Sequence, residues 1–324
     1  MKLSELVDLY NGLSTLGWAD VKTQADAQAQ KIIHELNRGA DPVLDNLQQA
    51  QHNVHVIQET FDRLETDLDQ VKDKIKQLIS QQEPAWLQKS YAFYEMTLKN
   101  GDSQRPEAVT YNRNRRVLIS PQTEAFLCAR VRRYNSWQYP SMIIHPMHEP
   151  FIHELLGNDP LYLVDESPYL IEPVLEQFNP LYQRRLRCYH IQESFDYPIL
   201  DKLPNGQFGF CLAYNYLNFR PFEIIKKYLN EVMQKLRPGG VFAFTFNDCE
   251  RSKAIVLVEQ NFGCYTPSYL VEQLAETMGF EIIFKWNDGG PSTWIELKRP
   301  GQLETLRGGQ SLAKILPKPI AESK

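Results

Sequence analysis

Between residues 222 and 248 the chain changes its period. Apolar residues recur at helical spacing from Phe222 to Leu236, stop at Arg237-Pro-Gly-Gly240, and resume as the unbroken run Val241-Phe-Ala-Phe-Thr-Phe246 before Asn247-Asp248. Proline lacks the amide proton a helix needs and glycine gives up the most conformational freedom in one, so the pair ends helices. A short continuous apolar run bounded by turn residues reads as a strand buried on both faces. The segment therefore predicts a helix, a tight turn and a buried strand, which is one αβ step of an open parallel sheet.

The same alternation runs through the C-terminal half. Short apolar runs lie at Met142 to His145, Leu161 to Val164, Cys188 to Gln192, Phe208 to Ala213, Glu281 to Trp286 and Thr293 to Leu297. Helix-like segments separate them: Met147 to Leu156, Tyr169 to Leu186, and Tyr269 to Met278 stopped by Gly279. Fully apolar strands alternating with amphipathic helices need both sheet faces covered, so the expected class is doubly wound, Rossmann-like α/β. In such folds ligands bind beyond the carboxyl ends of the strands, where the strand order switches.

Across Pro140 to Gly301 this order, with Leu236-Arg-Pro-Gly-Gly240 closing a helix and the final hairpin Trp294-Ile-Glu-Leu-Lys-Arg-Pro-Gly301, resembles a class I S-adenosylmethionine-dependent methyltransferase. The resemblance implies a seven-stranded sheet and S-adenosylmethionine as cofactor. It makes Asp165 in Leu163-Val-Asp-Glu-Ser167 the acid that holds the ribose, or Glu166 if the register moves by one. It places Glu193 and Ser194 beside the adenine, and Asn215 and Tyr216, at the end of the fourth strand, under the reacting methyl and its acceptor. Catalysis of that kind comes mainly from holding the acceptor in line with the methyl group.

The first strand departs from the family. It runs Ile143-Ile-His-Pro-Met-His-Glu-Pro150, with no glycine until Gly157, where the family has a glycine-rich loop, so His145 fills the space beside the cofactor. Asn215-Tyr-Leu-Asn218 likewise replaces an Asn-Pro-Pro-aromatic signature, and Gly209 stands where Asp is common. Two functions follow: a methyltransferase of unidentified acceptor, or a catalytically inactive methyltransferase-like fold that serves as a structural or assembly module, such as one in a viral particle. Plainer roles stand beside each site residue. Asp165 suits the start of a helix near Pro168, Glu193 and Ser194 suit a turn, and Tyr216 suits a core. His145, His148 and His153 lack the spacing of a helical zinc motif, so no metal is expected.

Residues 1–84 form a different kind of sequence. From Val43, apolar residues fall at Leu47, Ala50, Val54, Ile57, Phe61, Leu64, Leu68, Val71, Ile75 and Leu78, alternating steps of four and three. That repeat predicts a coiled coil over 42–82, capped by Asp41, started by Pro42 and ended by Pro84. About 40 residues at ~1.5 Å each make a rod of roughly 60 Å. Its partner is either a second copy in a parallel coiled coil, with Asp67 and Lys72 as an attractive flanking pair, or the preceding segment Asp20 to Arg38 in an antiparallel hairpin. That segment's stripe, Val21, Ala25, Ile32 and Leu36, is shorter than the rod, so the expectation is a homo-oligomer, with a protein partner if the chain serves an assembly.

Between rod and sheet, residues 85–139 carry Arg105, Arg113, Arg115, Arg116, Arg130, Arg132 and Arg133 against few acids, with short elements expected at Val117 to Ile119 and Phe126 to Val131. These arginines either face nucleic acid or pair with carboxylates of a neighbouring domain or subunit; a net charge of -5 for the whole chain favours the latter. Five cysteines, odd in number and mostly in apolar runs, predict reduced, buried thiols and a reducing, cytoplasmic compartment. No 18-residue apolar stretch is present, so no membrane span is expected. Residues 302–324 read as a flexible tail.

Overall fold

The structure, a computed structural model, describes residues 2–15, 22–24, 26–27, 30–31, 34, 44–100 and 119–303. Asp41, Pro42, the hairpin stripe Val21, Ala25, Ile32 and Leu36, four of the seven arginines and most of the C-terminal tail lie outside them. The chain divides into two compact units, residues 1–85 and 86–324.

In the first unit, α1 (Leu3–Thr15) buries Leu3, Leu6 and Val7. Helix α2 (Leu44–Asn100) follows the predicted coiled-coil sequence. It does not stop at Pro84, as the sequence reading expected, but continues another sixteen residues with the proline in its interior. A proline removes one helical hydrogen bond and fits helical φ. Here burial of Ser90 and Tyr94 in the turns that follow holds the helix on course. The hairpin side of the sequence reading is visible at two points: Lys22 pairs with Asp62 and, at 3.4 Å, with Glu65, and Gln58 donates to Asp26 at 3.0 Å.

The second unit is a seven-stranded sheet in the order β3-β2-β1-β4-β5-β7-β6. Its strands are β1 (Ser141–Ile144), β2 (Leu161–Asp165), β3 (Leu186–His190), β4 (Phe208–Ala213), β5 (Leu236–Asn247), β6 (Glu281–Trp286) and β7 (Ser292–Lys298). The first five run parallel; β7 enters antiparallel between β5 and β6. The order reverses between β1 and β4, and a ligand cleft belongs at that switch.

Alternating side chains feed two cores. Met142 and Ile144 of β1, with Phe242 and Phe244 of β5, pack under Ile224, Tyr228 and Val232 of α7 (Phe222–Lys235), Val271 and Ala275 of α9 (Ser268–Thr277), and Tyr94 of α2. On the opposite face Ile143, Leu163, Leu212 and Ala243 meet Leu127 and Val131 of α3 (Pro121–Arg132) and Phe151 and Ile152 of α4 (Glu149–Glu154). Both faces are covered, which is why β1, β2 and β4 are buried at every residue.

Two boundaries differ from the sequence reading. Pro238-Gly-Gly240 is not a turn ahead of a strand: β5 starts at Leu236, already paired with Phe208. The pairing slips between Phe208 and Phe210, and Gly239 takes φ +78°, which lets its amide reach Arg299 O at 2.9 Å inside the bulge. The expected long helix from Tyr169 is two short ones, α5 (Pro168–Glu176) and α6 (Pro180–Gln183), because Asn179 caps a new start at Pro180. Helix α8 (Ser252–Glu259) follows β5. No described helix is long and apolar enough to cross a membrane.

Candidate functional site

The carboxyl ends of β1, β2 and β4 bring together His145, Asp165, Glu166, Glu193, Tyr216 and Arg220. His145 is the first residue beyond β1, and its backbone is left-handed at φ 59°. Its amide still bonds Val164 O at 2.8 Å, so the turn away from the sheet begins within that residue. A left-handed backbone at a residue with a Cβ costs about 1 kcal/mol. The ring is secured on two sides. Nδ1 donates to Asp165 Oδ2 at 2.8 Å, which fixes the tautomer, and the imidazole stacks on Tyr216 with centroids 5.0 Å apart.

Asp165 ends β2 and is 2% exposed. Its second oxygen accepts from Ser167 N at 2.8 Å, the local turn that precedes α5. Both oxygens of the residue assigned to the ribose are thus bound within the chain. Glu166 accepts from Glu193 N at 3.3 Å and from Arg220 Nη2 at 3.0 Å. Burial pushes its carboxyl above the ordinary range while the Arg220 guanidinium pulls the other way.

Glu193 has a fully covered side chain. It accepts from Arg220 Nε at 2.8 and 3.0 Å, from Tyr216 OH at 2.6 Å and from Tyr228 OH at 2.7 Å. Burial, reinforced by these carboxylates, drives both phenols far above their ordinary values, so they stay protonated donors. For Arg220, burial opposes the charge but Glu193 and Glu166 outweigh it and hold the guanidinium ionised. Its central carbon Cζ lies 4.0 Å from the centroid of the Tyr216 ring and 5.4 Å from that of the Tyr94 ring. Ser194 serves a turn, accepting from Asp196 N and Tyr197 N at 3.1 and 3.2 Å.

The section of α2 within this unit packs beside the site, with the Tyr94 ring near Arg220. Tyr91 and Tyr94 sit on Phe195 with centroids 4.5 and 6.0 Å apart, and Ser90 Oγ accepts from Tyr265 N at 2.9 Å. The Tyr94 hydroxyl is buried without a hydrogen-bond partner among the described residues.

Asn215 stands apart. Its backbone is left-handed at φ 50°, and its amide donates to Thr245 Oγ1 at 2.7 Å. It borders a cleft of about 260 Å³ in which Asn218, Asn247 and Ser292 face Phe219 and Phe262. Asn218 and Asn247 are engaged within the wall. Asn218 links Thr245 Oγ1 and Ser292 Oγ, and Asn247 donates to Ala254 O and Cys264 O.

Sequence reasoning found the carboxylates but missed Arg220, Tyr228 and Tyr94. The available signal for Arg220 was a lone cation in Asn218-Phe-Arg-Pro221 beside three acids of neighbouring strand ends that require a counter-charge. Of the arginine cluster, Arg130 and Arg132 are bonded bidentately to carboxylates of the α/β unit: Arg130 to Glu296 and Arg132 to Glu154. Glu149 and His153 share one face of α4 at 3.2 Å. Cys128, Cys211, Cys249 and Cys264 are buried free thiols, whereas Cys188 is exposed on the edge strand β3, which corrects its reading as a buried thiol.

Tested against S-adenosylmethionine, this arrangement does not fit. A ribose would have to compete for Asp165, Glu166 and Glu193 with His145, Arg220, two tyrosines and backbone amides of the same chain. A cofactor main chain needs room at the end of β1, and an imidazole occupies it.

The strand order with an antiparallel seventh strand is the class I methyltransferase fold. No family model matches the chain and no curated protein matches it. Among solved structures, an O-methyltransferase family protein from Burkholderia thailandensis is 11% identical, with a TM-score of 0.43 over 55% of this chain and 57% of that one. A SAM-dependent methyltransferase from Aquifex aeolicus is 12% identical, with a TM-score of 0.38 over 56% and 99%. Human N-acetylserotonin methyltransferase, in complex with SAM, is 13% identical, with a TM-score of 0.40 over 53% and 51%.

Proposed function

We propose that the second unit is a methyltransferase fold used as a structural or assembly module, with its cofactor cleft closed by the chain's own charges. The observation that carries this reading is Arg220 lying between Glu166 and Glu193. The guanidinium occupies both carboxylates at once and is flanked by two tyrosine rings, so a planar cation of the protein stands where a planar ligand would. Opening the cleft would strand buried carboxylates, and breaking a buried ion pair costs about 3–5 kcal/mol, a sum that cofactor binding would have to overcome first. His145 adds a second obstruction at the loop that the resemblance expects to be glycine-rich. The partner served by such a module is another protein of the same assembly.

Calorimetric titration with S-adenosylmethionine and with S-adenosylhomocysteine, using Asp165→Ala as the control, tests the reading. The expected result is no saturable heat at millimolar ligand. A saturable isotherm that the Asp165→Ala variant loses would restore the enzyme reading and start the search for a methyl acceptor.

A further inference from the structure

Helix α2 carries two apolar rows on one side of its surface, and the structure treats them differently. In the row Val54, Phe61, Leu68 and Ile75, the first three are half-buried and the last is buried. The adjacent row keeps the same seven-residue step but remains open: Ile57 is 51% exposed, Leu64 45%, Val71 44% and Leu78 46%. The polar contacts of the preceding segment explain the asymmetry. Lys22 reaches Asp62 and Glu65, and Asp26 reaches Gln58, so the preceding segment lies over the side of α2 beyond the first row, away from the second. Intramolecular closure therefore uses half of a coiled-coil seam and leaves the other half in water.

A stripe of four large apolar residues at a strict heptad step matches a long helix laid alongside it, since only a partner of the same period stays in contact over six turns. Among the described elements, α2 itself is the one helix of that length. We infer that the open row docks on the same row of a second copy of this chain, the two helices running antiparallel about a two-fold axis near Val71.

Charge selects that orientation and register. The polar row next to the open stripe is Asn53, Thr60, Asp67, Lys74 and Gln81, all exposed. In an antiparallel pair centred on the open stripe, this row faces itself across the dimer, and the half-covered apolar row likewise faces its own copy. A parallel pair would instead lay the polar row over the apolar one. With the axis near Val71, Leu64 meets Leu78 of the copy and Asp67 meets Lys74 of the copy, each contact occurring twice. Sliding by one heptad sets Asp67 against itself, which disfavours the alternative. Neither Asp67 nor Lys74 has an ion-pair partner within the chain among the described residues. This dimer stands independently of the closed cleft, because none of its residues belongs to the α/β unit.

Sedimentation equilibrium on the full chain tests the inference. The wild type should sediment as a dimer. Leu64→Asp with Leu78→Asp should give a monomer of unchanged helical content by circular dichroism, since both side chains are exposed within the single chain. Asp67→Lys should weaken the dimer by at least about tenfold, and adding Lys74→Asp should restore it. A monomeric or trimeric wild type, a dimer that survives the paired Asp substitutions, or a charge reversal that the second substitution does not repair would each overturn it.

Discussion

The two units handle recognition surface in opposite ways. At the strand ends of the α/β unit, three carboxylates that could meet a ligand are satisfied by an imidazole, a guanidinium and two phenols of the same chain. On α2, four large apolar side chains at a seven-residue step are left in water. A buried ionic group that finds its counter-charge internally has no reason to open, whereas exposed apolar surface gains free energy by being covered, about 25 cal/mol for each Å². The difference leaves free energy to be gained by contact on the helical unit and free energy to be lost by opening the cleft.

Substitutions can break or sharpen this contrast. The largest effect belongs to Arg220→Met, which leaves Glu166 and Glu193 buried without their cation and should destabilise the second unit by about 3–5 kcal/mol in denaturant unfolding, with no change in self-association. If stability survives, the charges do not hold the cleft shut. Tyr216→Phe removes one charged hydrogen bond to Glu193 and one wall beside His145 keeps its shape, so a loss of about 1.5–3 kcal/mol is expected from the same measurement.

His145→Gly should change stability by less than about 1 kcal/mol, because relief of the left-handed backbone offsets the lost contact with Asp165. It sharpens the contrast further. Repeating the calorimetry on this variant should again show no saturable heat, since Arg220 still occupies both glutamates. Binding that appears would identify the imidazole as the sole obstruction.

The smallest effect is a slope. Burial raises the Glu166 carboxyl in the folded state above its ordinary value of 4.5. The folded protein therefore holds that proton to higher pH than the unfolded chain does, and the contribution is complete below pH 4.5 and fades as pH rises through the folded value. Glu166→Gln keeps an acceptor for Arg220 and abolishes the titration, so its stability relative to wild type should rise with pH across that window. Unfolding midpoints of the two proteins, compared at several pH values, measure the slope directly.

How much of this was legible in sequence depended on whether one residue carried two meanings. The strands β2, β4 and β5 stood out because burial on both faces leaves no polar residue to break the run, and Asp165 was found because it ends such a run. Pro238-Gly-Gly240 was misread since a helix stop and a β-bulge want the same chemistry: a missing amide proton and a positive φ. Pro84 read as a terminator because sequence shows the lost hydrogen bond and not the burial of Ser90 and Tyr94 that follows it. The strand-end carboxylates were visible as acids, but their occupancy was not, because Arg220 and Tyr228 lie 27 and 35 residues from Glu193. Which half of the α2 seam stays open was equally hidden, since both rows share one repeat and only the polar contacts to Lys22 and Asp26 separate them.

One buried carboxylate also sets an order of events in time. Glu296, fully covered on β7, accepts from Arg130 Nε and Nη2, from Tyr134 OH and from Trp294 Nε1. The arginine and the glutamate are 166 residues apart, so α3 leaves the ribosome long before the strand that anchors it. At about 5–20 residues per second, that helix waits roughly 8–30 seconds for its counter-ion. Arg130 thus spends that interval without the carboxylate that fixes it, and the contact between α3 and β7 forms late in the making of this unit.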